Sequence, residues 1–225
     1  MPVMDEFREE RAAIKQGTFR QKYQYFKDYY RTPLIITVLA LALIGVLLYN
    51  FMTRKDYAFY AALINCSPYP ENEWFSDDYA SVAGIDTDRE AICFDTSLYY
   101  VLDSMDQDSL ITVQKLDTLV LSGTLDVMLG GGDEFAHYAN PLLFTDLREV
   151  LTKEQLEKYE PYLYYVDGAE FDIEGSFPVA IYVDSSKKLN DAYYFRNAEN
   201  GIALGIYANS SHKEYAVSLI DYLME

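Results

Sequence analysis

Residues Leu125 to Ala139 read LDVMLGGGDEFAHYA. The short run Leu125 to Leu129 is apolar apart from Asp126, which predicts a strand buried on both faces. Gly130 to Gly132 can turn the chain off that strand, since glycine pays no Cβ penalty in a tight turn. From Asp133 to Ala139 the pattern opens a helix. The carboxylates of Asp133 and Glu134 would stand in its first turn, at the positive end of the helix dipole. A buried strand delivered straight into a helix is the building unit of an α/β sheet.

The alternation continues on both sides. Upstream, a strand is expected over Tyr57 to Asn65 and a loop at Ser67-Pro68-Tyr69-Pro70. A helix follows over Glu71 to Val82, a strand over Ala91 to Leu98, and a helix over Leu110 to Ser122 that Gly123 ends. Downstream come short helices at Leu147 to Leu151 and Glu154 to Tyr159. Strands follow at Tyr162 to Val166, Phe177 to Val183 and Ile202 to Ala208. A last helix spans Ser211 to Met224, with Ser211 as N-cap and Glu214 as its capping-box partner. The expectation is a three-layer α/β domain on a mainly parallel mixed sheet, and about 170 residues suffice for its core.

Further out, Leu34 to Met52 read LIITVLALALIGVLLYNFM, with no charged residue. At about 1.5 Å per residue such a helix matches a hydrocarbon core of roughly 30 Å. Pro33 suits a first helical turn, and Tyr49 and Phe51 suit the interface. No small-x-small cleavage site follows the run, so an uncleaved signal anchor is expected rather than a cleaved signal peptide. The chain then divides into a tail (1–33), a transmembrane helix (34–53) and an outer domain (54–225).

Charge gives the direction. The tail holds seven basic and five acidic residues, a surplus of two, so the remainder of a chain at −18 carries −20. Arg20, Lys22, Lys27 and Arg31 precede the span, against Arg54 and Lys55 after it. The positive-inside rule puts the N-terminus in the cytoplasm and the acidic domain outside a bacterial cell membrane. Gly17 is expected to break the tail into two helical parts, with Thr18 capping the second. Phe19, Tyr23, Phe26 and Tyr30 recur at three- and four-residue steps. This segment reads either as a helix lying at the inner membrane surface or as a plain extension of the span.

The outer domain's charge argues against nucleic acid and anionic lipid as its partners. It leaves cations, basic ligands or mere solubility. Cys66 and Cys93 both fall outside the membrane, where a disulfide and two buried thiols are equally open. No cofactor or metal is expected. His137 and His212 lack ligand spacing. The clusters Asp103, Asp106, Asp108 and Asp86, Asp88, Glu90 lack the glycine and terminal glutamate of a calcium loop. Tyr162, Tyr164, Tyr165, Tyr193 and Tyr194 suit either core packing or a carbohydrate or peptide surface.

Gly131 to Phe135 spell GGDEF, the signature of diguanylate cyclases. That family also carries an upstream D-x-D-x-F-K-x-x-N-D strand and an arginine before the motif. Neither is present here, and GTP is absent from the expected side of the membrane. The cyclase is therefore the least favoured reading.

Three stretches carry a broader resemblance: LSGTLDVMLGGGDEFAHYA (Leu121 to Ala139), LLFTDLREVLTKEQLEKYEPYLYYV (Leu142 to Val166) and GIALGIYANSSHKEYAVSLIDYLME (Gly201 to Glu225). Together they resemble extracellular solute-binding proteins of the periplasmic-binding-protein type 2 fold. The opening MDEFREER…YFxDYY is similar to a group of Firmicutes single-pass membrane proteins. Solute-binding proteins have two lobes, whereas this outer domain is compact. The resemblance implies a membrane-anchored, non-catalytic solute-binding-like or interaction module, for a small-molecule or peptide ligand or an envelope protein partner. The alternative is a structural cell-envelope protein with a filled, non-binding cleft. No nucleophile or acid–base set that would make an enzyme is evident. Any site belongs at the carboxyl ends of the parallel strands. That singles out Asn65 and Ser67 after the first strand, Thr96 and Ser97 at the second, and Gly131 and Asp133 after the third.

Overall fold

The computed structural model describes residues 17–67, 73–102, 104, 106–196, 198 and 200–225. The chain forms two compact units, Met1–Arg54 and Lys55–Glu225.

In the first unit, helix α1 (Phe19–Tyr25) passes through a five-residue π-helical stretch (Phe26–Tyr30) into helix α2 (Arg31–Thr53). Gln21 Oε1 accepts the Thr18 backbone N–H at 2.9 Å, closing the start of α1. The expected helical segment over residues 1–16 lies outside the described residues. Pro33 falls in the first turn of α2, as expected, where its missing N–H costs little, and the π turn stands just ahead of it. Helix α2 is long and apolar enough to cross a membrane, and none of its residues is buried. Two of its threonines bond back to the preceding turn. Thr37 Oγ1 donates to the Pro33 carbonyl and Thr53 Oγ1 to the Tyr49 carbonyl, both at 2.8 Å.

The second unit is an α/β domain on one six-stranded mixed sheet. In chain order its elements are β1 (Tyr57–Ile64), α3 (Glu73–Ala83), β2 (Ala91–Leu98), α4 (Gln107–Leu121), β3 (Val127–Gly131) and α5 (Gly132–Tyr138). Then follow α6 (Leu147–Val150), α7 (Lys153–Tyr159), β4 (Leu163–Asp167), β5 (Ser176–Tyr182), α8 (Lys187–Asp191), β6 (Ile202–Ile206) and α9 (Lys213–Met224). The expected loop at 68–70 and the first two residues of the expected helix at 71–82 fall outside the described residues.

The strand order is β2-β1-β3-β6-β5-β4. β1 runs parallel to β2 and β3. β6 is antiparallel to both β3 and β5, and β4 is antiparallel to β5. Parallel pairing, expected for most of the sheet, is thus confined to the β2-β1-β3 half.

Side chains alternate across β1 and divide the core in two. Phe59, Ala61 and Leu63 pack with Phe75 and Tyr79 of α3 and with Leu219 and Leu223 of α9. Tyr60, Ala62 and Ile64 pack on the other face with Leu116 of α4 and Phe135 of α5. Helices α3 and α4 therefore cover opposite faces. That is what right-handed crossovers require when the chain steps from β1 out to β2 and then back past β1 to β3.

Three local expectations change. β3 continues through Gly130 and Gly131, and the chain leaves it only at Gly132. Helix α4 begins at Gln107 because Asp106 caps it. The Asp106 carboxylate accepts from the Ser109 N–H at 2.9 Å, from Ser109 Oγ at 2.8 Å and from Ser104 Oγ at 2.6 Å. The Ser104 hydroxyl first, then these Ser109 groups, bring its carboxyl down to about 2. Asp103, grouped with it from sequence, lies outside the described residues. Ser211 does not cap α9, whose preceding residue is His212. Ser210 Oγ instead accepts the His212 N–H at 3.1 Å and donates to buried Asp126 at 2.6 Å.

Candidate functional site

The site forms where β1 and β3 end. Asn65, the residue after β1, has a left-handed backbone with φ 56°, a conformation asparagine tolerates better than most residues. From there it ties three segments together. Its N–H donates to the Leu98 carbonyl at the end of β2 (3.0 Å). Its Oδ1 accepts the Tyr100 N–H (2.8 Å). Its Nδ2 donates to the Tyr100 carbonyl (2.6 Å) and to Glu134 Oε1 in the first turn of α5 (3.0 Å). Two residues on, the Ser67 N–H donates to the Tyr194 carbonyl at 2.7 Å.

A second clasp holds the other side of the β3–α5 junction. Asn200, also left-handed at φ 59°, donates Nδ2 to both Asp133 oxygens at 3.0 Å. The Gly132 N–H donates to the Gly201 carbonyl at 3.1 Å. A Cβ on Gly132 would stand 2.2 Å from the Asn200 carbonyl oxygen, so only glycine allows this approach. The letters GGDEF are thereby placed. Two glycines carry the strand end and the junction, each acid is bound by a left-handed asparagine, and Phe135 is fully buried.

Between these clasps is a cleft of about 190 Å³ lined by Ile64, Asn65, Ser67, Tyr99, Gly131, Glu134, Phe195, Arg196 and Ala198. It lies at the carboxyl ends of β1 and β3, where the strand order reverses. Open α/β sheets place their ligand crevices at such a point. The lining mixes aromatic faces, an amide, a carboxylate and a guanidinium. Such a set, with the Ser67 hydroxyl, can hydrogen-bond and stack a small polar molecule. Arg196 also lies over the Tyr193 ring, 4.3 Å from its centroid.

Of the six residues singled out from sequence, Asn65, Ser67 and Gly131 line the cleft. Asp133 adjoins it but is engaged by Asn200. Thr96 and Ser97 are elsewhere, because β2 is an edge strand and its end belongs to another cluster. There Ser97 Oγ donates to Asp95 at 2.7 Å, Tyr60 OH donates to Asp95 at 2.5 Å, and Lys115 Nζ lies 2.5 Å from Asp95 and 3.0 Å from Ser97 Oγ. Burial works to raise the Asp95 carboxyl. Lys115, Tyr60 and Ser97 together outweigh it and hold the group below the usual carboxylate range. Lys115 thus donates to both Asp95 and Ser97. Thr96 presents its carbonyl to Cys66 Sγ at 3.8 Å.

Sequence reasoning passed over Tyr99, Glu134, Phe195, Arg196 and Ala198. Glu134 carried a signal, standing beside Asp133 in the same turn. The other four sit in connections without periodicity.

Of the two states left open for the cysteines, the structure has the thiols. Cys66 and Cys93 are both free, and they pack against opposite faces of the sheet. Burial, aided by Asp95, pushes the Cys66 thiol up to about 12 and raises that of Cys93 as well. His137 Nε2 meets Tyr100 OH at 3.0 Å and His212 Nδ1 meets Asp126 at 3.2 Å. Among the described residues no group of three or more His, Cys, Asp or Glu could hold a metal ion. Of the tyrosines, Tyr194 is buried against Phe75 and Tyr164 packs on Phe135 and Tyr182, while Tyr162, Tyr165 and Tyr193 stay on the surface.

Comparison of the chain with protein-family models, with curated proteins and with solved structures finds no match.

Proposed function

We propose that this chain is a membrane-anchored, non-catalytic binding module. In this reading α2 spans the cell membrane with residues 1–33 in the cytoplasm, and the outer domain takes a small polar ligand in the cleft between β1 and β3. The single observation that carries it is the position of that cleft at the reversal of strand order, with Asn65, Tyr99 and Glu134 converging on it. A compact, one-lobed relative of the type 2 solute-binding fold accords with the resemblance in sequence. It also accords with a sheet in which one antiparallel strand, β6, separates β3 from β5.

A screen of small polar solutes against the full-length chain in micelles tests the reading, with melting followed by Trp74 fluorescence. A ligand at a hundred times its Kd adds about 2.7 kcal/mol. At about 2–4 °C per kcal/mol for a domain of this size, the melting temperature should rise by about 5–10 °C. Glu134→Gln and Tyr99→Ala should abolish the rise while leaving the unliganded melt close to wild type. A rise that survives both substitutions places the ligand elsewhere.

A second reading is an envelope interaction or structural protein whose cleft is filled by its own side chains. One observation favours it. The cleft is smaller than the roughly 300 Å³ at which ligand pockets usually begin, and Asn65 and Glu134 are bonded to each other across it. A screen without a single hit would select that reading. Protease protection in intact cells tests the orientation, with the outer domain expected to be digested and residues 1–33 spared.

A further inference from the structure

The segment from Phe19 to Arg31 opposes the rest of the chain in charge. It carries Arg20, Lys22, Lys27 and Arg31 against one acid, Asp28, in a protein whose net charge is −18. It enters α2 with no intervening loop. Phe19, Tyr23 and Phe26 are exposed, at 87%, 62% and 47%. Phe26 and Tyr30 stack with their centroids 6.0 Å apart, which makes the aromatic groups a stripe along the helix rather than scattered rings. Basic side chains beside an aromatic stripe are the composition of a surface that meets lipid headgroups. The rings settle at the polar–apolar boundary, and the long cationic stems reach out to phosphate. The π turn at Phe26–Tyr30 marks the point in the helix where the axis bends most readily, and so where α1 can lean toward the bilayer plane.

We propose that Phe19–Arg31 is a docking surface for the anionic lipid headgroups of the bilayer that its own helix α2 crosses. The proposal rests on the membrane-anchoring reading. Charge complementarity selects the occupant, because an anionic leaflet attracts each nearby Lys or Arg and the attraction decays within a Debye length. The lipid exclusion drawn from charge concerns the acidic outer domain and leaves this basic segment untouched.

The test uses the full-length chain in nanodiscs of neutral phosphatidylcholine and in discs containing about one third phosphatidylglycerol. Trypsin cleavage after Arg20 is the readout. With several cations held at the surface, cleavage should be about tenfold slower in the anionic discs, and 0.5 M salt should remove most of that protection, since the Debye length falls from about 10 Å at 0.1 M to under about 5 Å. Lys22→Gln/Lys27→Gln should be cleaved in anionic discs at nearly the rate seen in neutral ones. Equal rates in the two discs for the wild-type chain overturn the proposal, as does protection that persists in the double variant. A chain that fails to enter nanodiscs overturns the membrane-anchoring reading itself, which keeps the two failures apart. Protection in neutral discs equal to that in anionic ones would point to an aromatic contact alone and also overturn the role of the cations.

Discussion

Replacing Asp126 with alanine removes a carboxylate that is 1% exposed and holds three donors. Tyr60 N–H on β1 reaches its Oδ2 at 2.9 Å. Ser210 Oγ and His212 Nδ1, between β6 and α9, reach its Oδ1 at 2.6 and 3.2 Å. The backbone of Asp126 bridges the same segments, donating to the Tyr60 carbonyl and accepting from the Tyr207 N–H. With the carboxylate gone, the Tyr60 amide and the Ser210 hydroxyl lose their acceptor in the interior. Each such orphan costs about 1–3 kcal/mol. A loss of about 4 kcal/mol is expected, or about 8–16 °C in melting temperature. Asp126→Asn keeps one acceptor and should lose about half as much. Urea titration of the full-length chain in micelles measures this through Trp74, the chain's one tryptophan, which lies on α3 and reports the outer domain. The urea slope should not change, since the same surface is exposed on unfolding. Adding Ser210→Ala to Asp126→Ala should cost less than the sum of the single losses, because one orphan is removed. A loss below about 1 kcal/mol, or strict additivity, would refute the reasoning.

Gly132→Ala forces a methyl to within 2.2 Å of a backbone carbonyl and should cost about 3 kcal/mol, whereas Gly123→Ala, at φ 67° with open space around it, should cost about 1 kcal/mol; urea midpoints decide the order. Asp95 is held below its ordinary range in the folded state, so its contribution is fully present above the unfolded carboxylate value of about 3.9 and is lost as pH falls through the folded value. Lys115→Met should lower stability by about 1 kcal/mol near neutrality, given the half-exposed lysine, and move the acid limb of a melting-temperature profile to higher pH. Cys66 and Cys93 should both resist iodoacetamide at pH 8 and both react once the chain is unfolded without reductant; an alkylated count below two there would restore the disulfide.

The parallel half of the sheet was legible because its strands and helices alternate at the spacing that a crossover needs. The antiparallel half was not, and β6 shows why. Ile202–Ile206 is buried along its whole length, so its pattern carries no sign of direction. The connection from β5 holds a short helix and is long enough for a parallel crossover as well as for the antiparallel return that it makes. The cleft divides in the same way. Asn65, Ser67 and Gly131 could be found from strand ends alone. Phe195, Arg196 and Ala198 arrive from a connection some 130 positions beyond Asn65, and no local pattern links the two. Ser97 misled because position at a strand end says nothing of whether that strand is central or at an edge.

The place of β6 also has a consequence in time. Among the described residues β2-β1-β3 and β5-β4 meet in the sheet through it, and it follows the other five strands in sequence. A polypeptide that emerges N-terminus first must hold two unzipped half-sheets, each with a raw inner edge, until residues 202–206 follow. Such edges invite pairing with the wrong chain. The closing step joins β6 to β3 across some seventy residues, so it should be the slow one in folding. Whatever escorts this domain has most to do in the interval just before its final helix appears.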